Sequence, residues 1–129
     1  MKHLNITEEQ TKLFASSGAF FAFSSEQWEK ANDSNLNYKS LGGGLYCPEQ
    51  NADKLTQQLK DLQASKIKWE LDNNTLKDII WYELANHETQ ITGDITDAYE
   101  VLIQYGISKE DVIKEHKDYY QHCIDNDYF

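Results

Sequence analysis

The chain has 129 residues, with 22 acids against 12 bases and a formal net charge of −10, a length that allows one domain with a modest core and no need of disulfides. All 12 bases are lysine, so no guanidinium is present to grip phosphate or guanine, and the net field repels polyanions; both facts argue against direct nucleic-acid binding. No apolar stretch follows Met1-Lys2-His3 and no run of about 18 apolar residues occurs anywhere, which argues against a signal peptide and a membrane span and predicts a cytoplasmic protein.

The two cysteines, Cys47 and Cys123, lie far apart without CxxC spacing, so neither a disulfide framework nor a zinc ribbon is indicated. Charge is unevenly placed. Residues 1–69 hold 8 acids and 8 lysines, whereas residues 70–129 hold 14 acids and 4 lysines. The second half carries the whole net charge, either as a solvated helical surface or as a face aimed at a basic partner.

In chain order, Thr7-Glu8-Glu9-Gln10 has the form of a capping box with Thr7 at the N-cap, opening a short helix that buries Leu13 and Phe14 and ends at Ser16-Ser17-Gly18. The aromatic run over residues 19–23 predicts a buried strand. Ser24-Ser25-Glu26-Gln27 starts a second helix with Trp28 and Ala31 inward. Two short apolar runs flank Gly42-Gly43-Gly44, which fits a hairpin or a bulged strand. The glycines match neither GxxxxGK(S/T) nor GxGxxG, so a phosphate loop is disfavoured. Pro48 closes the strand, and Asn51 caps a helix over residues 52–64 with Leu55, Leu59 and Leu62 inward.

Ile67-Lys68-Trp69-Glu70-Leu71 alternates apolar and charged residues, the pattern of a half-buried strand. Asp72-Asn73-Asn74 then caps a central helix in which Leu76, Ile80, Leu84, His87 and Ile91 share one stripe, with Glu83 one turn before His87. Thr92-Gly93-Asp94 breaks it. Thr96-Asp97 opens a short helix with Ala98, Val101, Leu102 and Tyr105, which Gly106 ends. Ser108 starts the last helix, with Val112, Ile113, His116, Tyr119, Tyr120 and Cys123 on its inner stripe and residues 125–129 frayed. The fold class is α+β: a small antiparallel sheet within residues 19–71 packed against a mostly helical C-terminal half. The expected organisation is a single domain over residues 1–129, with a strand and helix part in 1–72 and an acidic helical part in 73–125.

The strings GAFFAFS at residues 18–24, SLGGGLYCP at 40–48, YELANHE at 82–88 and GDITD at 93–97 together resemble a group of small acidic proteins of phages and mobile elements in Firmicutes. The resemblance covers about residues 18–115. It implies a role as an inhibitor of type II CRISPR nucleases, that is an anti-CRISPR acting on a Cas9-type effector, and a bound zinc ion.

The residues themselves offer one candidate metal set. His87-Glu88 begins like HExxH, but Ile91 stands where the second histidine belongs, so the zincin motif fails. Glu83 and His87 share a face, Asp94 lies in the loop beyond, and Cys47 completes a set of four, with His116 and Cys123 as alternatives. The competing reading is a core histidine bonded to Glu83 or to a backbone carbonyl. His116 and Cys123 read equally well as an amphipathic core face. No neighbour activates the Cys47 thiol, and any of the 22 acids could be paired on paper, so no complete catalytic motif stands out.

Eight tyrosines and three tryptophans suit an interface, particularly where tyrosine alternates with acid. The expectation is a non-enzymatic interaction protein whose Tyr82, Glu83, Glu88, Asp94, Asp97, Tyr99 and Glu100 dock on a basic protein partner. Its rivals are a small metal-dependent hydrolase and a dimeric accessory domain.

Overall fold

The computed structural model describes all residues from Met1 to Phe129. The elements are helix α1 (Thr7–Ser17), strand β1 (Phe20–Phe21), helix α2 (Ser25–Ala31), strands β2 (Tyr38–Gly42) and β3 (Leu45–Pro48), and helices α3 (Glu49–Asn73), α4 (Leu76–Asn86), α5 (Thr89–Thr92), α6 (Thr96–Leu102) and α7 (Lys109–Asn126). A 3-10 turn, Ile103–Tyr105, extends α6. The fold is α+β, dominated by helix. The chain divides into two compact units, Asn5–Lys66 and a second made of Met1–Leu4 with Ile67–Phe129.

In the Asn5–Lys66 unit the three strands form an antiparallel sheet in the order β1-β3-β2. The glycine triplet turns β2 into β3, and the register slips between Ser40 and Gly42, giving the bulged hairpin that the sequence indicates. Gly44 is required there. Its φ is +81°, and a Cβ on it would collide with the Phe23 ring. Cys47, Ala52 and Leu55 are fully buried and pack with Leu13, Phe14, Ala19, Leu41 and Leu59. Ser24 caps α2 by accepting from the Gln27 amide, while the Gln27 side chain accepts from the Phe23 amide.

Several expectations are corrected in this unit. The N-cap of α1 is Ile6, whose carbonyl accepts from the Gln10 amide; Thr7 is the first helical residue instead of the cap, and its own amide donates to the Asn5 side chain. The aromatic run is not a buried strand: β1 has two residues, and Phe21 and Phe23 are 49% and 73% exposed. Their rings stack on each other at 6.2 Å, which shields part of each without a core. Ala31 is exposed.

The largest correction concerns residues 67–71, which are helix and not strand. The sheet lies between Phe20 and Pro48. The helix α3 starts at Glu49 and runs unbroken past residue 71. Ala52, Leu55, Leu59 and Leu62 recur at three and four, and the same spacing continues through Lys66 to Glu70, which is fully buried. The stripe ends in polar residues, so its last turns show only as continued spacing, not as apolar residues.

In the other unit, Ile79, Ile80, Leu84, Ala98, Leu102, Ile107, Val112, Tyr119 and Cys123 form one core. Thr75 and Ser108 cap α4 and α7 through their side chains. The Asn74 side chain bonds both backbone groups of Lys2, which ties residues 1–4 to this unit. The buried stripe of α4 is Ile79, Ile80, Glu83 and Leu84, whereas Leu76 and Ile91 are exposed. The helix also stops earlier than its periodicity suggests. His87 is its C-cap and Glu88 takes a left-handed φ of +51°. The Thr89 hydroxyl, buried, donates to the Leu84 carbonyl that the lost turn would have satisfied. Ile95, not Thr96, is the N-cap of α6. On α7 only Val112, Tyr119 and Cys123 are buried, Ile113 and Tyr120 facing solvent, and the helix continues to Asn126. No helix is long and apolar enough to cross a membrane.

Candidate functional site: a buried polar cluster and an acidic, aromatic surface

Glu83 and His87 meet as their spacing requires, with His87 Nε2 3.4 Å from Glu83 Oε2. Glu83 is buried at 8% exposure and His87 is half-buried. The pair belongs to a larger group within the same unit. Glu70, on the last turns of α3, accepts a hydrogen bond from the Tyr105 hydroxyl, and His3 Nδ1 lies 3.4 Å from its other oxygen. The His3 ring packs on Tyr82 at 4.5 Å. Burial, the hydrogen bond to Glu70 and the charges of Glu70 and Glu83 together push the Tyr105 phenol far above its usual range. Tyr105 therefore stays a donor to Glu70.

Of the residues named for zinc, Glu83 and His87 are in contact with each other, and the others have different surroundings. Cys47 lies in the Asn5–Lys66 unit, fully buried in its core. Burial pushes its thiol up, against a smaller opposing effect of the Ser17 hydrogen bond. The Asp94 carboxylate accepts from the Thr96 amide at 2.9 Å, and hydrogen bonds from Thr96 hold it below the usual carboxylate range. This ties it to the first residue of α6. His116 Nε2 lies 3.4 Å from the Thr89 carbonyl, and Cys123 is core. No group of three or more His, Cys, Asp and Glu side chains lies together in a way that could hold a metal ion. Glu83 and His87 offer two donors, short of the tetrahedral set a structural zinc takes.

Of the residues named for docking, Glu88, Asp94, Asp97, Glu100 and Tyr82 are exposed, Tyr99 is half-buried and Glu83 is turned inward. Asp97 and Glu100, three apart, share one face of α6.

Residues 2–122 match the model of a family described as a family of unknown function, DUF7659. The chain belongs to this family. No curated protein and no solved structure matches it. The DUF7659 match spans the polar cluster from His3 to Tyr105 and the acidic stretch over α5 and α6.

Sequence reasoning missed His3, Glu70 and Tyr105. Glu70 was hidden by the strand assignment; the continuing three-and-four spacing of α3 is the signal that could have placed it inward. It also missed a largely aromatic groove, lined by Trp81, Tyr82, Tyr119, His122 and Tyr128 together with Met1, Asp78 and Ala85, because these residues come from the N-terminal segment, α4, α7 and the segment after α7.

Proposed function

We propose that the chain is a non-catalytic binding protein of a phage or mobile element that docks its acidic helical surface on a basic, nucleic-acid-handling protein in the host cytoplasm and blocks it. The observation that carries the reading is the disposition of charge. Of the 14 acids in residues 70–129, 11 are exposed, only Glu70 and Glu83 are buried, and Glu115 is half-buried. Such a surface mimics a polyanion: its carboxylates take the lysines and arginines that otherwise hold phosphates. The resemblance of the GAFFAFS, SLGGGLYCP and YELANHE strings to mobile-element proteins makes a Cas9-type effector the first target to test.

Binding to that effector, measured by calorimetry over a salt series, is expected to weaken by about tenfold or more between roughly 0.05 and 0.2 M salt. Reversing Glu88, Asp97 and Glu100 to lysine is expected to abolish it while leaving the melting temperature within a few degrees. A flat salt response, or full binding by the reversed variant, sinks the proposal.

A further inference from the structure

The groove on the Ile67–Phe129 unit has the chemistry of a cation receptor, and we infer that it receives an arginine side chain of the protein partner. This rests on the docking reading above and names the contact within it. The groove encloses about 340 Å³, room for one long side chain. Its walls are largely aromatic, with Met1 and Ala85 completing them: the Trp81 ring meets Tyr119 edge-on at 5.5 Å and His122 at 5.1 Å, and His122 meets Tyr128 at 5.7 Å.

Tyr82 and Tyr128 leave 41% and 55% of their surface open, although His3 packs on the Tyr82 ring at 4.5 Å and His122 on that of Tyr128 at 5.7 Å, so each offers a ligand only the part of its ring that these neighbours leave uncovered. Tyr128 is held in place from both sides, its amide bonded to the Cys123 carbonyl at 2.9 Å and its carbonyl accepting from Gln90 at 3.2 Å.

Two features select a cation over an apolar guest. Asp78 is the only acid in the lining, three and four residues before Trp81 and Tyr82 on α4, which places its carboxylate on the same side of the helix as both rings. The protein's own Lys77 Nζ sits 4.6 Å from the Trp81 ring centroid, so a ring of this groove accepts a cation over its face, here the chain's own. With Lys77 taking that ring, the incoming cation uses the open tyrosines. A planar guanidinium can stack on a tyrosine face while its N–H groups bond Asp78, which a spherical ammonium cannot do. The chain contains no arginine of its own, so a second copy cannot supply one and the occupant comes from a different protein.

The test is an NMR titration of the full-length, isotope-labelled chain with Nα-acetyl-arginine methylamide, using the citrulline counterpart as an uncharged probe of the same shape. The Trp81 indole signal is expected to shift saturably with the arginine probe only, those of Trp28 and Trp69 staying fixed. Asp78→Asn and Tyr128→Ala should each weaken binding about fivefold. Tyr128 lies beyond the last helix, so its variant is expected to fold normally. An equal response to citrulline, no response at all, or wild-type affinity in both variants overturns the inference. If the arginine probe fails but an arginine-rich peptide still binds with steep salt dependence that reversal of Glu88, Asp97 and Glu100 removes, the groove is wrong and the docking reading stands. Saturable arginine binding beside a salt-insensitive effector complex upholds the groove and removes the docking reading.

Discussion

The 3.4 Å contact between Glu83 and His87 joins a buried carboxylate to an imidazole nitrogen. Removing only the imidazole strands that carboxylate, whereas replacing the carboxylate by its amide does not leave a charge behind. His87→Leu is therefore expected to cost about 1–3 kcal/mol in urea unfolding, more than Glu83→Gln. Two other residues carry a pH signature. Hydrogen bonds from Thr96 lower the Asp94 carboxyl in the folded chain, so its stabilisation is present above the unfolded carboxylate range and is lost as pH falls through the lowered value. Asp94→Asn, which keeps an oxygen for the Thr96 amide, should flatten the acid limb of a plot of melting temperature against pH. Tyr119 behaves with the opposite sign. Burial first, then its hydrogen bond with Cys123, pushes it up to about 12 from 10. Its contribution is complete below the unfolded value near 10 and disappears as pH rises through about 12. The alkaline limb of Tyr119→Phe should accordingly be shallower than that of the parent.

At the level of elements, the junction of α4 and α5 turns on Glu88 at φ +51°, a conformation that costs a side-chain-bearing residue about 1 kcal/mol. Glu88→Gly is expected to raise stability by about 0.5 kcal/mol once the greater freedom of the unfolded glycine is counted. If the docking reading holds, the same change weakens partner binding, and an assay that finds both improved contradicts the role given to Glu88. This junction also shows what a sequence can and cannot reveal. Ser24, Ser108, Gly18 and Gly106 announced helix ends because their chemistry is local: a hydroxyl for an orphan amide, or a missing Cβ for a left-handed turn. The glycine triplet announced its hairpin in the same way. Glu88 gave no such sign, since glutamate has no local preference for this geometry, which accompanies the Thr89 hydroxyl's bond to the Leu84 carbonyl. Residues 67–71 misled for a related reason. Their alternation is genuine, but twenty-five residues of continuous helix, Glu49–Asn73, overrode it. In the candidate site, the Glu83 and His87 pair was legible because it spans one turn; Glu70, His3 and Tyr105 come together only through tertiary packing.

For the whole molecule, a net charge of −10 makes salt act in two directions. Screening over about 8–10 Å relieves self-repulsion within the free chain and weakens its attraction to a basic partner. Melting temperature should rise with added salt while partner affinity falls, and two curves moving the same way would argue against an electrostatic interface. A strong chelator tests the zinc reading directly: a fall in melting temperature on its addition would mean that Glu83 and His87 share a metal with further ligands.

The two free cysteines are fully buried, Cys47 in the core of the Asn5–Lys66 unit and Cys123 in that of the other. Each unit thus carries one reporter that an alkylating reagent reaches only when that unit opens. Mass spectrometry after timed exposure to such a reagent reads two opening rates from a single unmodified chain. Unequal rates identify two cooperative blocks, and the doubly labelled fraction measures how often both are open in the same molecule.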